Sequence, residues 1–270
     1  MSARVIAFAN QKGGVAKTTT TLSIGAALAE RGRKVLAVDM DPQGALTYSM
    51  GADPDVIDET INDVLVRRLP VERVILTREL DLVPANIDLA GAEAVLLAKT
   101  GREYALQRAL RDILDRYDYI LIDCPPSLGI LTINALTAAG EVMIPLQCEA
   151  LSHRGVGQLL ETLKDIRHFT NPTLEIAGVI PTMYDGRSRH AQEVLADVGG
   201  RYDVNVLRPA VRKSIRFAEA TQVGRSILSF APSHPGSEAY RAHAAALEGE
   251  AAVAEAPTRI EDPVPVGQKA

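Results

Sequence analysis

The segment at residues 11–20, Gln-Lys-Gly-Gly-Val-Ala-Lys-Thr-Thr-Thr, constrains the fold more than any other feature of this sequence. It directly follows the apolar run at residues 5–9 and leads into a stretch with helical spacing at residues 18–31. Paired glycines let a backbone approach a ligand closely, and the start of a helix offers N–H groups and a favourable field to an anion. The order strand, glycine-containing loop, helix therefore predicts a phosphate-binding loop in an α/β fold.

Further short apolar runs of the same kind recur along the chain, at residues 34–38, 119–122, 142–146 and 176–180. Such runs are typical of strands that are buried on both faces in a parallel sheet. Segments with helical spacing lie between them at residues 102–116, 131–139 and 155–168, and Gly32 is placed like a C-cap after the first helix. The alternation predicts a doubly wound, mainly parallel α/β sheet flanked by helices.

The length of 270 residues suits one large α/β domain. We expect a single domain over residues 1–248 and a disordered tail over residues 249–270, which lack any period. Residues 51–88 are less regular and predict a short helix and one more strand. Helical spacing returns at residues 207–218, and a last helix is expected to begin at residues 235–236, Pro-Gly.

The loop supplies the candidate ligands for a nucleotide. Lys17 is expected against the β- and γ-phosphates, and the hydroxyl of Thr18 is expected to coordinate Mg²⁺, a cation that prefers oxygen ligands. ATP and Mg²⁺ are thus the expected ligands. The predicted nucleotide contacts in this segment are Gln11, Lys12, Gly13, Gly14, Val15, Ala16, Lys17, Thr18 and Thr19.

Carboxylates follow two of the predicted strands, at the sheet edge where open α/β folds bind their ligands. Asp39 and Asp41 follow the second strand, and Asp123 follows the third. We expect Asp123 and Asp39 to join Thr18 around Mg²⁺, and Asp41 to position the water that attacks the γ-phosphate. For Asp39 the alternative is a turn carboxylate that is satisfied by nearby backbone groups.

Composition narrows the functional classes. A net charge of −5 argues against a uniformly basic nucleic-acid binder, although it does not describe how charge is spread over the faces. Cys124 and Cys148, the only cysteines, lie in apolar surroundings and are expected to be reduced core residues. The first residues lack the pattern of a secretion signal, and the apolar runs are far shorter than the roughly 20 residues that span a bilayer. A soluble, cytoplasmic protein is expected.

Lys12-Gly13-Gly14 with Lys17-Thr18 resembles the deviant Walker A signature X-K-G-G-X-X-K-[ST] of the superfamily of ParA, MinD and the nitrogenase iron protein. The resemblance implies that Lys12 reaches across a dimer to the partner's nucleotide, where it would stabilise charge developing on the γ-phosphate. Ala16 departs from the pattern, because these proteins commonly carry glycine there. If its φ is positive, the methyl group is expected to crowd the loop and to slow hydrolysis.

Other phrases resemble the ParA (Soj-type) partition ATPases over residues 5–247. They are Val-Asp-Met-Asp-Pro-Gln-Gly at 38–44, Asp-Cys-Pro-Pro-Ser at 123–127, Leu-Thr-Ile-Asn-Ala-Leu at 131–136, Thr-Met-Tyr-Asp-Gly-Arg at 182–187, Phe-Ala-Glu-Ala at 217–220 and Pro-Gly-Ser-Glu-Ala-Tyr-Arg at 235–241. The resemblance implies an ATP-bound homodimer that binds DNA non-specifically on the nucleoid and is released when a ParB-like partner stimulates hydrolysis. It also implies that Pro209 flanks the adenine.

The segment at residues 208–216 carries four cations and no anion. In a helix, Arg212 and Arg216 would lie one turn apart and form a stripe that contacts DNA phosphates together with Lys213. Arg187 and Arg189 would extend that stripe. The alternative is a basic face that is merely solvated.

Two other functions remain open. A MinD-like ATPase would act on a membrane surface, although residues 251–270 contain acids and prolines instead of a basic amphipathic helix. An orphan ParA-like ATPase would position a different protein cargo, because cargo choice depends on partner contacts and not on the fold. A cluster-holding redox ATPase is disfavoured, because neither cysteine is suitably placed.

Overall fold

The structure is a computed structural model that describes residues 2–148, 152–202 and 204–250. Its strands are β1 (Arg4–Phe8), β2 (Val35–Asp39), β3 (Leu76–Thr77), β4 (Asp81–Val83), β5 (Tyr119–Asp123), β6 (Glu141–Gln147) and β7 (Glu175–Thr182). Within the described ranges they form one seven-stranded sheet in the order β3-β4-β2-β5-β1-β6-β7. All neighbouring strands are parallel except β3 and β4, which form an antiparallel edge pair.

Helices cover both faces of this sheet. They are α1 (Lys17–Glu30), α2 (Ala45–Ser49), α3 (Ile61–Arg67), α4 (Leu89–Leu97), α5 (Ala105–Leu110), α6 (Ile130–Ala138), α7 (Ser152–Phe169), α8 (Arg189–Tyr202), α9 (Arg216–Gln222), α10 (Ile227–Phe230) and α11 (Pro235–Leu247). One core, which contains Ala7 and Ile122, lies on the side of α3 to α8, and the other, which contains Phe8 and Leu121, lies on the side of α1 and α11. The predicted doubly wound, mainly parallel fold is confirmed.

In two stretches, the spacing of apolar residues did not predict the secondary structure correctly. Residues 51–88 contain α3 and two strands, β3 and β4, instead of the one strand expected. The helix predicted at residues 102–116 is broken into a 3₁₀ turn at Arg102–Tyr104, the helix α5, and a second 3₁₀ turn at Arg111–Ile113. Gly32 has φ 81° directly after the C-cap of α1, as its placement in the sequence predicts.

The helix predicted at residues 207–218 is wrong over residues 207–215. The chain instead runs extended beside β7, where Leu207 N donates to Val179 O at 2.8 Å and Val211 N donates to Pro181 O at 2.8 Å. Helix α9 begins only at Arg216. The physical reason is that Pro209 has no N–H to donate within a helix, while the exposed edge of β7 offers partners for the neighbouring amides.

The expected tail, residues 249–270, lies outside the described residues except for Gly249 and Glu250. Among the helices that the structure does describe, none combines the length and the apolar character that a membrane crossing requires.

Candidate functional site

The loop at residues 9–16 lies at the carboxyl end of β1 and is held from both sides. Thr182 Oγ1, at the end of β7, donates to Val15 O at 2.9 Å. Asn10 Nδ2 donates to Pro145 O of β6 at 2.8 Å, and Asn10 Oδ1 accepts from Lys12 N at 3.0 Å. The loop is therefore fixed before any ligand binds, which lowers the entropic cost of ordering it.

Two residues of the loop have left-handed backbone angles. Gly14 has φ 71°, and Ala16 has φ 64° and ψ 33°. Alternating angles of this kind turn successive N–H groups toward one centre and create a concave anion site. Glycine adopts the left-handed region freely, but the Cβ of Ala16 makes the same conformation strained.

Lys17 begins α1 directly behind this loop. Its side chain is only 7% exposed, and its Nζ donates to Lys12 O at 3.3 Å. Burial lowers the pKa of Lys17, against the opposing attraction of Asp123. A buried ammonium that donates to a carbonyl is suited to an anionic ligand, because a phosphate in contact with it would offset the cost of burying the positive charge.

Thr18 and Asp123 meet where β5 ends. Thr18 Oγ1 donates to Asp123 Oδ2 at 2.6 Å, and Asp123 is 1% exposed. Burial raises the pKa of Asp123, and the neighbouring carboxylate of Asp39 raises it further. The structure therefore brings together two of the three predicted metal residues through their oxygens, at the edge that carries the loop.

Asp39, the third, is opposite Asp123 in the register of β2 and β5. Its Oδ2 accepts from Thr47 N at 2.9 Å and Thr47 Oγ1 at 2.8 Å, and its Oδ1 accepts from Asp41 N at 3.1 Å. Burial raises the pKa of Asp39 to about 6, although these hydrogen bonds oppose the rise. The carboxylate thus makes the contacts of a buried turn residue, the alternative that the sequence left open.

Asp41 lies beyond Asp39 in the same turn and is half-buried. Its Oδ1 accepts from Gln43 N at 3.0 Å, and its charge acts on both Lys17 and Asp123. Asp39 therefore holds the turn, and the turn carries Asp41 toward the loop. Thr47 was missed by the sequence reasoning, since no local pattern marks a threonine as the partner of an aspartate eight residues earlier.

The residues present fit a magnesium nucleotide. Hydroxyl and carboxylate oxygens are the donors that Mg²⁺ prefers, and one or two of them are enough because phosphates and waters complete the shell. Gln11, at the start of the loop, keeps Oε1 buried without a hydrogen-bond partner among the described atoms. An acceptor of that kind suits a site in which a ligand or its bound water supplies the missing donor.

A mainly apolar cavity of about 260 Å³ opens beside the loop. Its wall is formed by Ala16, Thr19, Thr182, Met183, Val211, Arg212, Lys213, Ser214, Phe217, Ala218, Thr221 and Tyr240. The sequence reasoning identified Ala16 and Thr19 as contacts of a nucleotide but missed Met183, Phe217 and Tyr240, which join the wall from distant elements. Pro209 is not part of this wall and lies two residues before it.

The predicted DNA-contacting residues do not share a helix. Arg187 lies in the turn before α8, Arg212 and Lys213 lie in the extended segment and line the cavity, and Arg216 begins α9. The parallel bridge between Tyr184 and Arg212 brings the turn close to the extended segment. All four side chains are exposed, but Arg216 pairs with Glu219 at 2.7 Å and lies over the ring of Phe230. Arg189 is the first residue of α8, and its side chain lies outside the described part of the structure.

Comparison with known proteins adds an independent view of this site. The sequence profile of a family described as an AAA domain matches residues 3–176. The chain is 42% identical to the sporulation initiation inhibitor protein Soj of Bacillus subtilis over 240 residues, which cover 88% of this chain and 95% of Soj. It is 41% identical to the chromosome partitioning protein ParA of Myxococcus xanthus, with 88% of this chain and 86% of that protein covered.

Among solved structures, the chain is similar to one described as cobyrinic acid a,c-diamide synthase from Mycobacterium smegmatis with a bound ATP analogue and magnesium. The identity is 50%, the TM-score is 0.82, and the match covers 91% of this chain and 94% of that one.

Proposed function

This chain belongs to the family of P-loop ATPases that includes Soj and ParA, and from that premise we propose that it is an ATP-driven partition switch. It is a P-loop ATPase of the ParA and MinD type. We propose that residues 1–248 form the ATPase domain, that the ligand is MgATP, and that the ATP-bound form is a homodimer. The cargo would be a chromosome, a plasmid or a similar body in the cytoplasm, carried on the nucleoid.

The observation that carries the proposal is the likeness to Soj over 95% of its length at 42% identity. A match of that extent concerns most of both chains and not a phosphate loop alone. Soj and ParA are named for sporulation and chromosome partitioning, and the site described above supplies the nucleotide chemistry that such a switch requires.

We assign roles within the site from its contacts. The loop amides and Lys17 would bind the β- and γ-phosphates, and Thr18 with Asp123 would hold Mg²⁺, which neutralises the charge that develops on the phosphates. Asp41 would orient the attacking water. Asp39 would act through Asp41, because its oxygens already accept from Thr47 and from the Asp41 amide.

Lys12 would act across the dimer on the partner's nucleotide, which makes hydrolysis depend on dimerisation. The adenine would occupy the apolar cavity beside Ala16, whose volume of about 260 Å³ and apolar lining suit a flat heterocycle. In this arrangement Arg212 and Lys213 stand between the base and solvent. They would link nucleotide binding to the basic surface.

DNA binding would use the cations at Arg187, Arg189, Arg212, Lys213 and Arg216. For all of them except Arg189, the support is their exposure, together with the bridge between Tyr184 and Arg212 that brings two segments close, because helical spacing does not apply there. Pairing two copies would double the charge presented to the phosphates. Release would follow when a ParB-like partner accelerates hydrolysis.

The test is binding to non-specific duplex DNA in the absence of nucleotide, with ADP and with ATP, at two salt concentrations. The wild type is expected to bind only with ATP and more weakly at high salt. Lys17→Ala should abolish binding, and Arg216→Glu should weaken it at least tenfold while MgATP affinity is retained. Arg111→Glu is the matched control, because Arg111 is also exposed but lies outside the basic segments. If the wild type does not bind DNA without nucleotide, with ADP or with ATP, the proposed DNA-binding role is overturned.

A second candidate follows from the printed name of the 50% identical structure, ATP-dependent amidation of a carboxylic acid such as cobyrinic acid. Release of ammonia from glutamine normally needs a nucleophilic thiolate. Burial raises the pKa of the Cys124 thiol, and it raises that of Cys148 to about 11, so neither thiol suits that role. ADP release that is stimulated by cobyrinic acid with glutamine, and not by DNA, would favour amidation.

A further inference from the structure

A hydrogen bond ties the helix behind the phosphate loop to the last helix of the fold. Thr20 in the first turn of α1 and Tyr240 in α11 place their hydroxyl oxygens 3.0 Å apart. Both side chains are fully buried, and Tyr240 is the largest fully buried side chain in the described part of the protein. Water therefore has no access to replace this bond if either hydroxyl is removed.

Tyr240 is also one of the residues that surround the apolar cavity. Phe217 of α9, another wall residue, meets it edge-on with ring centroids 6.2 Å apart and planes at 87°. One residue of the cavity wall thus forms a hydrogen bond with the helix that follows the phosphate loop. Lys17 and Thr18 lie three and two residues before Thr20 in the same helix.

Simple packing does not account for the polar contact. A phenylalanine would fill the same volume among Phe217 and the neighbouring core, yet the hydroxyl of Tyr240 reaches Thr20 in the one turn of α1 that carries the phosphate ligands. Burial raises the pKa of Tyr240, so the group stays a neutral phenol that can form this bond. The contact thus connects the wall of the apolar cavity to the helix that carries the phosphate ligands.

We propose that Tyr240 is a positioning residue that sets the distance between the base cavity and the phosphate loop, so that it governs the affinity for a ligand that spans both. The inference rests on the proposed placement of adenine in that cavity. A displaced base cavity that weakens the bound state by about 1 kcal/mol, the size of one buried neutral hydrogen bond, corresponds to roughly a fivefold loss of affinity. A ligand that occupies only the phosphate loop should not sense this change.

The experiment compares Tyr240→Phe with the wild type in equilibrium binding of MgATP and of magnesium tripolyphosphate. We expect Tyr240→Phe to weaken MgATP binding about fivefold and to leave tripolyphosphate binding unchanged. Thr20→Val, which removes the other hydroxyl, should have the same effect, and the double variant should be no weaker than either single one. Tyr117→Phe is the matched control, because Tyr117 donates its hydroxyl to Asp81 at 2.9 Å near the opposite end of the sheet.

The outcomes separate the two levels of inference. Equal weakening of both ligands by Tyr240→Phe would show that Tyr240 only supports the fold, and the proposal would be overturned. Unchanged MgATP affinity would overturn it as well. If the wild type binds MgATP no more tightly than magnesium tripolyphosphate, the placement of the adenine in the cavity is overturned instead. If the wild type binds neither ligand, the nucleotide site itself is overturned.

Discussion

Replacing Ala16 with glycine tests the account of the phosphate loop most directly. Ala16 has φ 64° and ψ 33°, a conformation that costs an L residue with a Cβ roughly 1–2 kcal/mol. Glycine avoids that cost but loses about 0.5–1 kcal/mol more conformational entropy on folding. The difference predicts a net gain of about 0.5–1 kcal/mol in the free energy of unfolding, which corresponds to a Tm about 2 °C higher.

The rate of ATP hydrolysis should rise together with the stability. Ala16 belongs both to the phosphate loop and to the wall of the apolar cavity, so the strain lies where the nucleotide would bind. If about 1 kcal/mol of that strain opposes the transition state, Ala16→Gly should raise the rate of hydrolysis up to about fivefold. MgATP affinity should change little, because the loop is already formed.

The assay is thermal unfolding without nucleotide together with ADP release at saturating MgATP. Ala94→Gly is the control, because Ala94 is exposed in α4, where the same substitution should lower stability by about 1 kcal/mol. A higher Tm for Ala16→Gly and a lower Tm for Ala94→Gly would support the strain argument. A fall in Tm for Ala16→Gly similar to that of Ala94→Gly, with unchanged turnover, would refute it.

Three further predictions follow from single residues. Asp41→Asn should lower ADP release at least about 100-fold while MgATP affinity stays within about threefold; a large loss of affinity instead would assign Asp41 to ground-state binding. His243 is 1% exposed, and burial lowers its pKa to about 4 against the opposing effect of a hydrogen bond with the backbone of Pro209. The unfolded pKa is about 6.5, so the stability is complete above that pH and falls as the pH drops toward 4, and the loss amounts to about 2 kcal/mol at pH 5. Urea unfolding at pH 7.5 and pH 5 should show that His243→Leu removes this loss, and equal losses in both proteins would contradict the assignment. Gly224 has φ 66°, and an added Cβ would lie 2.5 Å from Gly51 Cα, so Gly224→Ala should destabilise the protein by about 2–4 kcal/mol. Gly200→Ala in α8, where nothing lies within 4 Å of the added Cβ, is its control in the same melts and should not destabilise.

The sequence was sufficient for the features that depend on neighbours along the chain. Residues 5–9, 34–38 and 119–122 are almost continuously apolar, and each run corresponds to a buried strand because both faces of a doubly wound sheet are covered. Parallel strands end at one edge, so the order of strand, loop and carboxylate was enough to bring Thr18 and Asp123 together across 105 positions. Chemistry that is fixed by topology can be predicted from sequence.

Other features were decided by partners that no local pattern reveals. The segment at residues 207–215 has helical spacing, yet the edge of β7 and the missing amide of Pro209 favour an extended chain, and that choice moved Arg212 and Lys213 into the cavity wall. Asp39 is occupied by Thr47, and Thr20 is paired with Tyr240 at a separation of 220 residues. Periodicity records interactions within a few residues, whereas a buried hydrogen bond must be satisfied by whichever group the folded core brings near. The sequence therefore determined the sheet and the phosphate chemistry, and the tertiary structure alone decided which side chains surround them.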